Sequence, residues 1–357
     1  MNIAFFVSSL LSAYWNGAAT YYRGLIKALH DRGHTITVYE PDAYDRQHHR
    51  DIESPSWARV IVYDNEEDAV LHAVEAARRD ADLIVKASGI GVFDTLLEAA
   101  VLDLKRPRNW VAFCDVDAPA TLERVENDSE DPFRELIPRY DFIFTYGGGS
   151  PVVRGYEALG ARLCVPIYNG LDPQTHHPVR PEARFEADLG FLGHRLPDRE
   201  ARVEEFFLNA AEQLQDRQFL LGGIGWDTKP LPQNVRNLGH VYTADHNAFN
   251  CTPRAVLNIS RASMARYGFS PATRVFEAAG AAACLITDSW VGIEEFFEPD
   301  GEILVARNGD EVAAHVVDLT AERANEIGQA AYRHVLAQHT YAHRAAQFDE
   351  ILEGALV

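Results

Sequence analysis

The chain has 357 residues, which favours two domains of ordinary size over a single core. Its 53 acidic against 33 basic side chains leave a formal charge of -20, which opposes binding to nucleic-acid phosphates or to an anionic membrane surface. Cys114, Cys164, Cys251 and Cys284 stand far apart with no C-x-x-C pair, so neither a zinc site nor a disulfide framework is indicated, and no run approaches the roughly 20 apolar residues of a membrane span.

The opening MNIAFFVSSLLSAYW lacks the basic start and small-residue cleavage site of a signal peptide, and the protein is read as soluble and cytoplasmic. Short apolar runs follow one another at NIAFFV, TITVYE, VIVYD, DLIVKA, WVAFCD, DFIFTY and RLCVPIY, alternating with helical patterns. Their continuous hydrophobicity predicts strands covered on both faces. In the first helix, Ala18, Tyr22, Leu25, Ile26 and Leu29 fall at offsets 0, 4, 7, 8 and 11, with Gly33 as the stop. This is a strand, loop, helix, strand unit of a parallel sheet.

After Asp172 the texture changes to PQTHHPVRPEARFEAD, without a clear period, which is read as the interdomain linker. The strand pattern restarts at DLGFLG, and Val203, Phe206, Phe207, Ala210 and Leu214 line one face of the next helix. QFLLGG, AVLNIS, ACLITD and EILVA are the further strands, and the chain from Ala321 onward is mostly helical. The expected domains are 1–172 and 173–357, each Rossmann-like, with the last helix a candidate to pack back on the first. Two doubly wound sheets create a cleft at the carboxyl ends of their strands, so function is sought in the loops that follow strands.

Several of those loops carry candidate chemistry. SSLLSAYWNGAAT has no G-x-G-x-x-G, which weakens a hydride-transfer cofactor, and its Asn16-Gly17 step is a turn at the helix entry. WVAFCDVDAPA puts Asp115 and Asp117 at the end of a probable central strand. A carboxylate there serves as a general base on a hydroxyl or stabilises developing positive charge; the alternative is a solvated turn with Asp117 capping at Pro119. TYGGGSPVV lines a loop without an assigned role, and the pairs His48-His49 and His176-His177 are poor metal ligands, because adjacent histidines point apart. Arg195 and Arg199, in LGFLGHRLPDRE, follow a strand and a glycine turn and are suited to forked bonds with phosphate; the alternative is a pair of solvated loop charges. Asn258 and Arg261, past AVLNIS, are candidates for the same pocket, and Gly239 in NLGHVY permits close backbone approach to a base.

The segment FSPATRVFEAAGAAACLITD reads as a helix beginning at Ser270-Pro271, with Ser270, Thr273, Arg274 and Glu277 on one polar stripe. Its amino end suits a diphosphate, and Glu277, one turn deeper, suits vicinal hydroxyls; the alternative is an exposed Arg274–Glu277 pair worth about 0.2–0.5 kcal/mol.

The run LNISRASMARYGFSPATRVFEAAGAAACLITDSWVGIEEFFEPDGEILVA resembles the donor-binding half of a GT-B glycosyltransferase, most closely the CgeB-like (spore-maturation) group. NGAATYYRGLIKALHDRGH and NLGHVYTADHNAFN extend the resemblance over nearly the whole chain. The resemblance implies a metal-independent enzyme with no cofactor, transferring sugar from a nucleotide-diphosphate donor in the second domain to an unidentified small-molecule, glycan or protein acceptor at the first. It also implies that Arg195 and Arg199 meet the diphosphate, that Glu277 meets the ribose, and that Asn16 and Gly17 lie on the acceptor side. Related retaining families space two Glu as E-x7-E; the earlier position here is Phe269, which leaves the stereochemical outcome open. At the Asp115 strand end such relatives often carry a His. The other readings are a nucleotide-sugar epimerase or hydrolase on the same fold, or a non-catalytic CgeB-like assembly protein.

Overall fold

Continuous apolar runs suit strands covered on both faces, and in the computed structural model, which describes residues 1–355, all seven runs of the first half form one. They are β1 (Asn2–Phe6), β2 (Thr35–Asp42), β3 (Arg59–Asp64), β4 (Leu83–Ala87), β5 (Trp110–Asp115), β6 (Phe142–Thr145) and β7 (Cys164–Pro166). They make one parallel sheet in the order β3-β2-β1-β4-β5-β6-β7. Every residue of β4 is buried, Lys86 included. The strand order reverses between β1 and β4, so the loops after these strands diverge and leave room for ligands.

Helix Ala19–Asp31 turns Tyr22, Leu25, Ile26 and Leu29 into the core. Gly24 on this helix lies against the ring of Tyr341, where an added Cβ would meet a ring carbon at 2.1 Å. That close approach docks the carboxyl-terminal helix Tyr341–Ala355 on the first unit, where Phe348 also packs 4.7 Å from Phe144. The first unit is therefore Met1–Tyr168 with this last helix, and the second is Asn169–Thr340. The change in texture at Asp172 lies inside the second unit, because Asn169 donates to Pro271 O (3.2 Å) and Leu171 N–H to His339 O (2.8 Å).

The second unit holds β8 (Leu189–Leu192), β9 (Phe219–Gly222), β10 (Val235–Asn237), β11 (Ala255–Asn258), β12 (Leu285–Asp288) and β13 (Leu304–Ala306). All pair in parallel, in the order β10-β9-β8-β11-β12-β13. The unanticipated β10 is a three-residue edge strand with only Val235 buried, too short to show a pattern. After β8, helix Pro197–Val203 passes through a π-turn, Glu204–Leu208, into helix Asn209–Gln213. The wider turn lets Phe206, Phe207 and Leu208 all reach the core in succession.

Candidate nucleotide-sugar site

In the second unit the loops after β8 and β9 touch. Gly223 has φ +128°, and an added Cβ would stand 2.2 Å from Gly193 O, so no side chain fits. Trp226 Nε1 donates to the same oxygen at 2.8 Å. An added Cβ at Gly193 would lie 2.9 Å from Arg199 Nη2, so this bare backbone makes room for a guanidinium. Arg199 rises from the first turn of helix Pro197–Val203 and donates to His194 O at 2.5 Å. Its guanidinium lies 5.8 Å from the centre of the Phe191 ring. Burial pushes Arg199 down to about 10, with Arg274 and Arg261 adding to the push and Asp198 opposing it. It remains a cation at neutral pH. Beside it, His194 Nδ1 accepts from Ile224 N–H at 3.0 Å, which places the neutral ring's proton on Nε2. The His194 pKa is lowered by burial, then by Arg199, His240 and Arg274.

The second group of residues stands on helix Thr273–Gly280. The expected start at Ser270 is corrected: Ser270 precedes Pro271, which disfavours helical backbone, and Ala272 is still extended at ψ 151°. Ser270 is buried and donates to Gly268 O (2.8 Å) rather than capping the helix. Thr273 donates to Asn169 Oδ1 at 3.2 Å. Glu277 and Arg274 are not the exposed pair of the alternative reading. Glu277 is 6 % exposed, with Oε2 3.0 Å from Arg274 Nη1 and Oε1 3.5 Å from His176 Nε2. Burial alone would raise the Glu277 carboxyl, yet Arg274, with His176 and His246 behind it, holds it down at about 2. Burial and Arg274 push His246 down to about 4, so it is neutral at neutral pH and Arg274 supplies the charge that keeps Glu277 ionised. Phe269, at the position of the missing carboxylate, is left-handed (φ 46°), and its ring covers Gly292.

This region is electrostatically incomplete. Arg199 Nε and Arg274 Nε are buried donors without a hydrogen-bond partner, and Arg274 Nη1 has only its charge contact with Glu277. A buried donor left unpaired costs about 1–3 kcal/mol, so such a concentration calls for an acceptor from outside the chain. Arg199 also makes no ion pair with a carboxylate among the described residues, whereas Arg274 faces Glu277 and Arg261 faces Asp198. His176 and His246 were not legible as site residues: they lie 101 and 31 positions from Glu277, and no spacing links them.

The remaining candidates divide. Arg195 is drawn away from Arg199 into a surface network: it donates to Glu200 (2.7 Å) and Thr228 (3.0 Å), and Lys229 shares Glu200 at 2.9 Å. The expected joint basic pair is corrected accordingly. Asn258 is buried and donates to Thr287 Oγ1 at 3.0 Å, tying the ends of β11 and β12 together. Gly239 is left-handed (φ 65°) with open space beside it, next to His240, whose ring stands 6.4 Å from that of His194.

In the first unit, Asp115 is wholly buried, and the expectation that it faces ligand is corrected. Its Oδ1 accepts from Ser88 Oγ (2.7 Å) and Asp117 N–H (3.0 Å), and its Oδ2 from Tyr156 OH (2.5 Å). It is a brace that fixes the backbone of Asp117, which is half-buried at the entry to helix Ala118–Asn127 and caps nothing with its side chain. Asn16 is likewise a staple, accepting from Ser8 Oγ and donating to Ser9 O and Ser12 O at 2.8–2.9 Å. A Cβ added at Gly17 would meet no atom within 4 Å, so the turn does not depend on its being glycine. Among the described residues no group of three or more His, Cys, Asp or Glu is placed to hold a metal ion, and no helix is long and apolar enough to cross a membrane.

Residues 199–350 match the family model described as glycosyl transferase-like. No curated protein sequence matches the chain. Solved structures with the same fold include HepE of Anabaena in complex with UDP-glucose, 16 % identical, TM-score 0.68, covering 99 % of this chain and 100 % of the other. The sucrose-phosphate synthase of Thermosynechococcus elongatus is 14 % identical, with TM-score 0.72, covering 100 % and 99 %. An alpha-glucosyltransferase in complex with UDP is 11 % identical, with TM-score 0.70, covering 98 % and 99 %.

Proposed function

We propose that this chain, a glycosyltransferase of the GT-B fold by its architecture and its family match, uses a nucleoside-diphosphate sugar held by its second unit. The observation that carries the reading is Arg199: a half-buried cation whose Nε is enclosed and unpaired, with no carboxylate partner among the described residues, beside the unpaired Nε of Arg274, in a protein of net charge -20. A diphosphate supplies the missing negative charge and acceptor oxygens. Glu277, kept ionised by Arg274, accepts the ribose hydroxyls, and Gly239 and His240 lie toward the base. That UDP and UDP-glucose occupy structures of the same fold supports this donor class.

The two arginines provide the charge that a divalent cation would otherwise provide, so transfer proceeds without a metal. Asp117, braced through its N–H by Asp115, is assigned as the carboxylate that takes the acceptor proton or stabilises positive charge on the sugar. The narrower placement in the CgeB-like group, and a cytoplasmic location in which the four unpaired cysteines stay reduced, belong to the same reading. The test is thermal denaturation with UDP, GDP and TDP, each with and without EDTA. At least one diphosphate raises the melting temperature regardless of EDTA; no shift with any of them refutes the proposal.

A further inference from the structure

Bulky residues rarely adopt left-handed backbone, yet Trp15 (φ 49°), Tyr44 (φ 58°) and Phe93 (φ 54°) all do so in the first unit. They sit in the loops after β1, β2 and β4, three neighbouring strands of one sheet. Strained backbone concentrates where a protein holds side chains for a ligand, and these loops lie at the end of the sheet where such folds bind one. Two of the strained residues are also large and outward-facing: Trp15 is 57 % exposed and Tyr44 53 %.

The exposure is built rather than accidental. Arg46, 5 % exposed, lies beneath the patch with its guanidinium 4.9 Å from the centre of the Tyr44 ring. It donates to Ser8 O (3.0 Å), Trp15 O (3.3 Å), Tyr14 O (3.4 Å) and Ile90 O (3.5 Å), so one buried side chain fastens two loops under the third. Tyr44 OH donates to Gly91 O at 2.7 Å, which clamps the β2 loop to the β4 loop. Tyr14 meets Trp15 edge-on at 6.3 Å and stacks on His49 at 4.1 Å. The rings are thus fixed before any ligand arrives, which lowers the ordering cost of binding.

The rim identifies the occupant. Asp51 is paired with Arg23 (2.7 Å), and Asp45 lies against the rings of His48 (2.7 Å) and His49 (3.2 Å), so both rim carboxylates are already engaged by neighbouring side chains. What remains is flat aromatic surface bordered by carboxylate and carbonyl acceptors. A pyranose ring fits that combination, with C–H bonds on one face for the aromatic rings and hydroxyls at its edge for the acceptors. We propose that Trp15 and Tyr44 form a platform for a neutral saccharide, and that this saccharide is the acceptor. The second clause rests on the glycosyltransferase reading above.

The experiment is saturation-transfer difference NMR on the full chain with maltose, cellobiose, lactose and methyl α-mannoside, with UDP affinity measured by calorimetry on the same samples. At least one sugar receives saturation at its ring C–H protons. The signal falls at least fivefold in Trp15→Ala and in Tyr44→Ala and stays within twofold in Trp15→Phe, while UDP affinity changes less than twofold. Because Trp15 is exposed, its variants melt close to the wild type. The platform is overturned if none of the sugars gives a signal, or if the signal survives both alanine variants. Sugar binding by a wild-type chain that does not bind UDP overturns the donor assignment and supports the platform.

Discussion

Replacing Glu277 by Gln separates two roles that the structure alone makes compatible. The carboxyl is held at about 2 against an ordinary 4.5, chiefly by Arg274 opposing burial. That difference favours the ionised form by about 3 kcal/mol. Because the folded pKa is the lower one, this stability is present in full above pH 4.5 and disappears as pH falls toward 2. Glu277→Gln therefore costs up to about 3 kcal/mol at pH 7, with Arg274 left beside a neutral amide, and the gap to wild type narrows in urea titrations below pH 4.5. The effect on ligand is opposite in sign for the two roles. If Glu277 accepts ribose hydroxyls, exchanging charged for neutral bonds costs about 1–2 kcal/mol and weakens UDP roughly 5- to 30-fold. If Glu277 only neutralises Arg274, the substitution frees a cation for the diphosphate and UDP binds as well or better. Calorimetry with UDP at pH 7 reads the sign directly, and unchanged or tighter binding refutes the ribose assignment.

Arg199→Met removes a half-buried cation that lacks a carboxylate partner among the described residues, so the free protein melts no lower than wild type while the UDP-induced shift is lost; Arg195→Ala, taken from a surface network, leaves the shift within about a degree. Asp117→Asn reduces transfer at least 100-fold with UDP affinity unchanged, whereas Asp115→Asn lowers the melting temperature, because the buried brace to Ser88, Tyr156 and the Asp117 backbone is broken; equal effects of the two on stability would contradict this division. His246 is held at about 4 in the folded chain and returns to about 6.5 when unfolded, so the unfolded state takes up the extra proton and stability falls as pH drops from 6.5 to 4. Replacing His246 by Asn flattens that limb of a stability-against-pH curve.

The strands were legible because sheets covered on both faces demand unbroken apolar runs, and β1 to β9 follow those runs closely. The edge strand β10 is invisible to pattern because three residues with one buried side chain carry no period. Ser270-Pro271 has the composition of a helix start, but the proline that suits a first turn also holds Ser270 extended, and the helix begins at Thr273. DVD misleads for a related reason. Successive strand residues point to opposite faces, so a carboxylate at the strand end can turn inward, and the Asp115 side chain meets Ser88 and Tyr156 instead of ligand. The stripe of Arg274 and Glu277 was recoverable from helical spacing. His176 was not, because its contact with Glu277 exists only once the segment after β7 has folded back on helix Thr273–Gly280.

The charge balance of the chain explains why a site of this form is needed. At a net charge of -20 the long-range field repels a nucleoside diphosphate, so attraction must come from cations close to it and shielded from the rest of the molecule. Burial provides the shielding, at the cost of lowering Arg199 toward its neutral form, and Arg261 and Arg274 add to that cost. The same arrangement leaves Arg199 Nε and Arg274 Nε without hydrogen-bond partners. A ligand that supplies those bonds recovers free energy the empty protein has forgone, which couples donor affinity to the instability of the unliganded site. Variants that relieve the instability are therefore expected to lose affinity together with it, and one that gained stability while keeping full UDP affinity would show that the unpaired arginines do not hold the diphosphate.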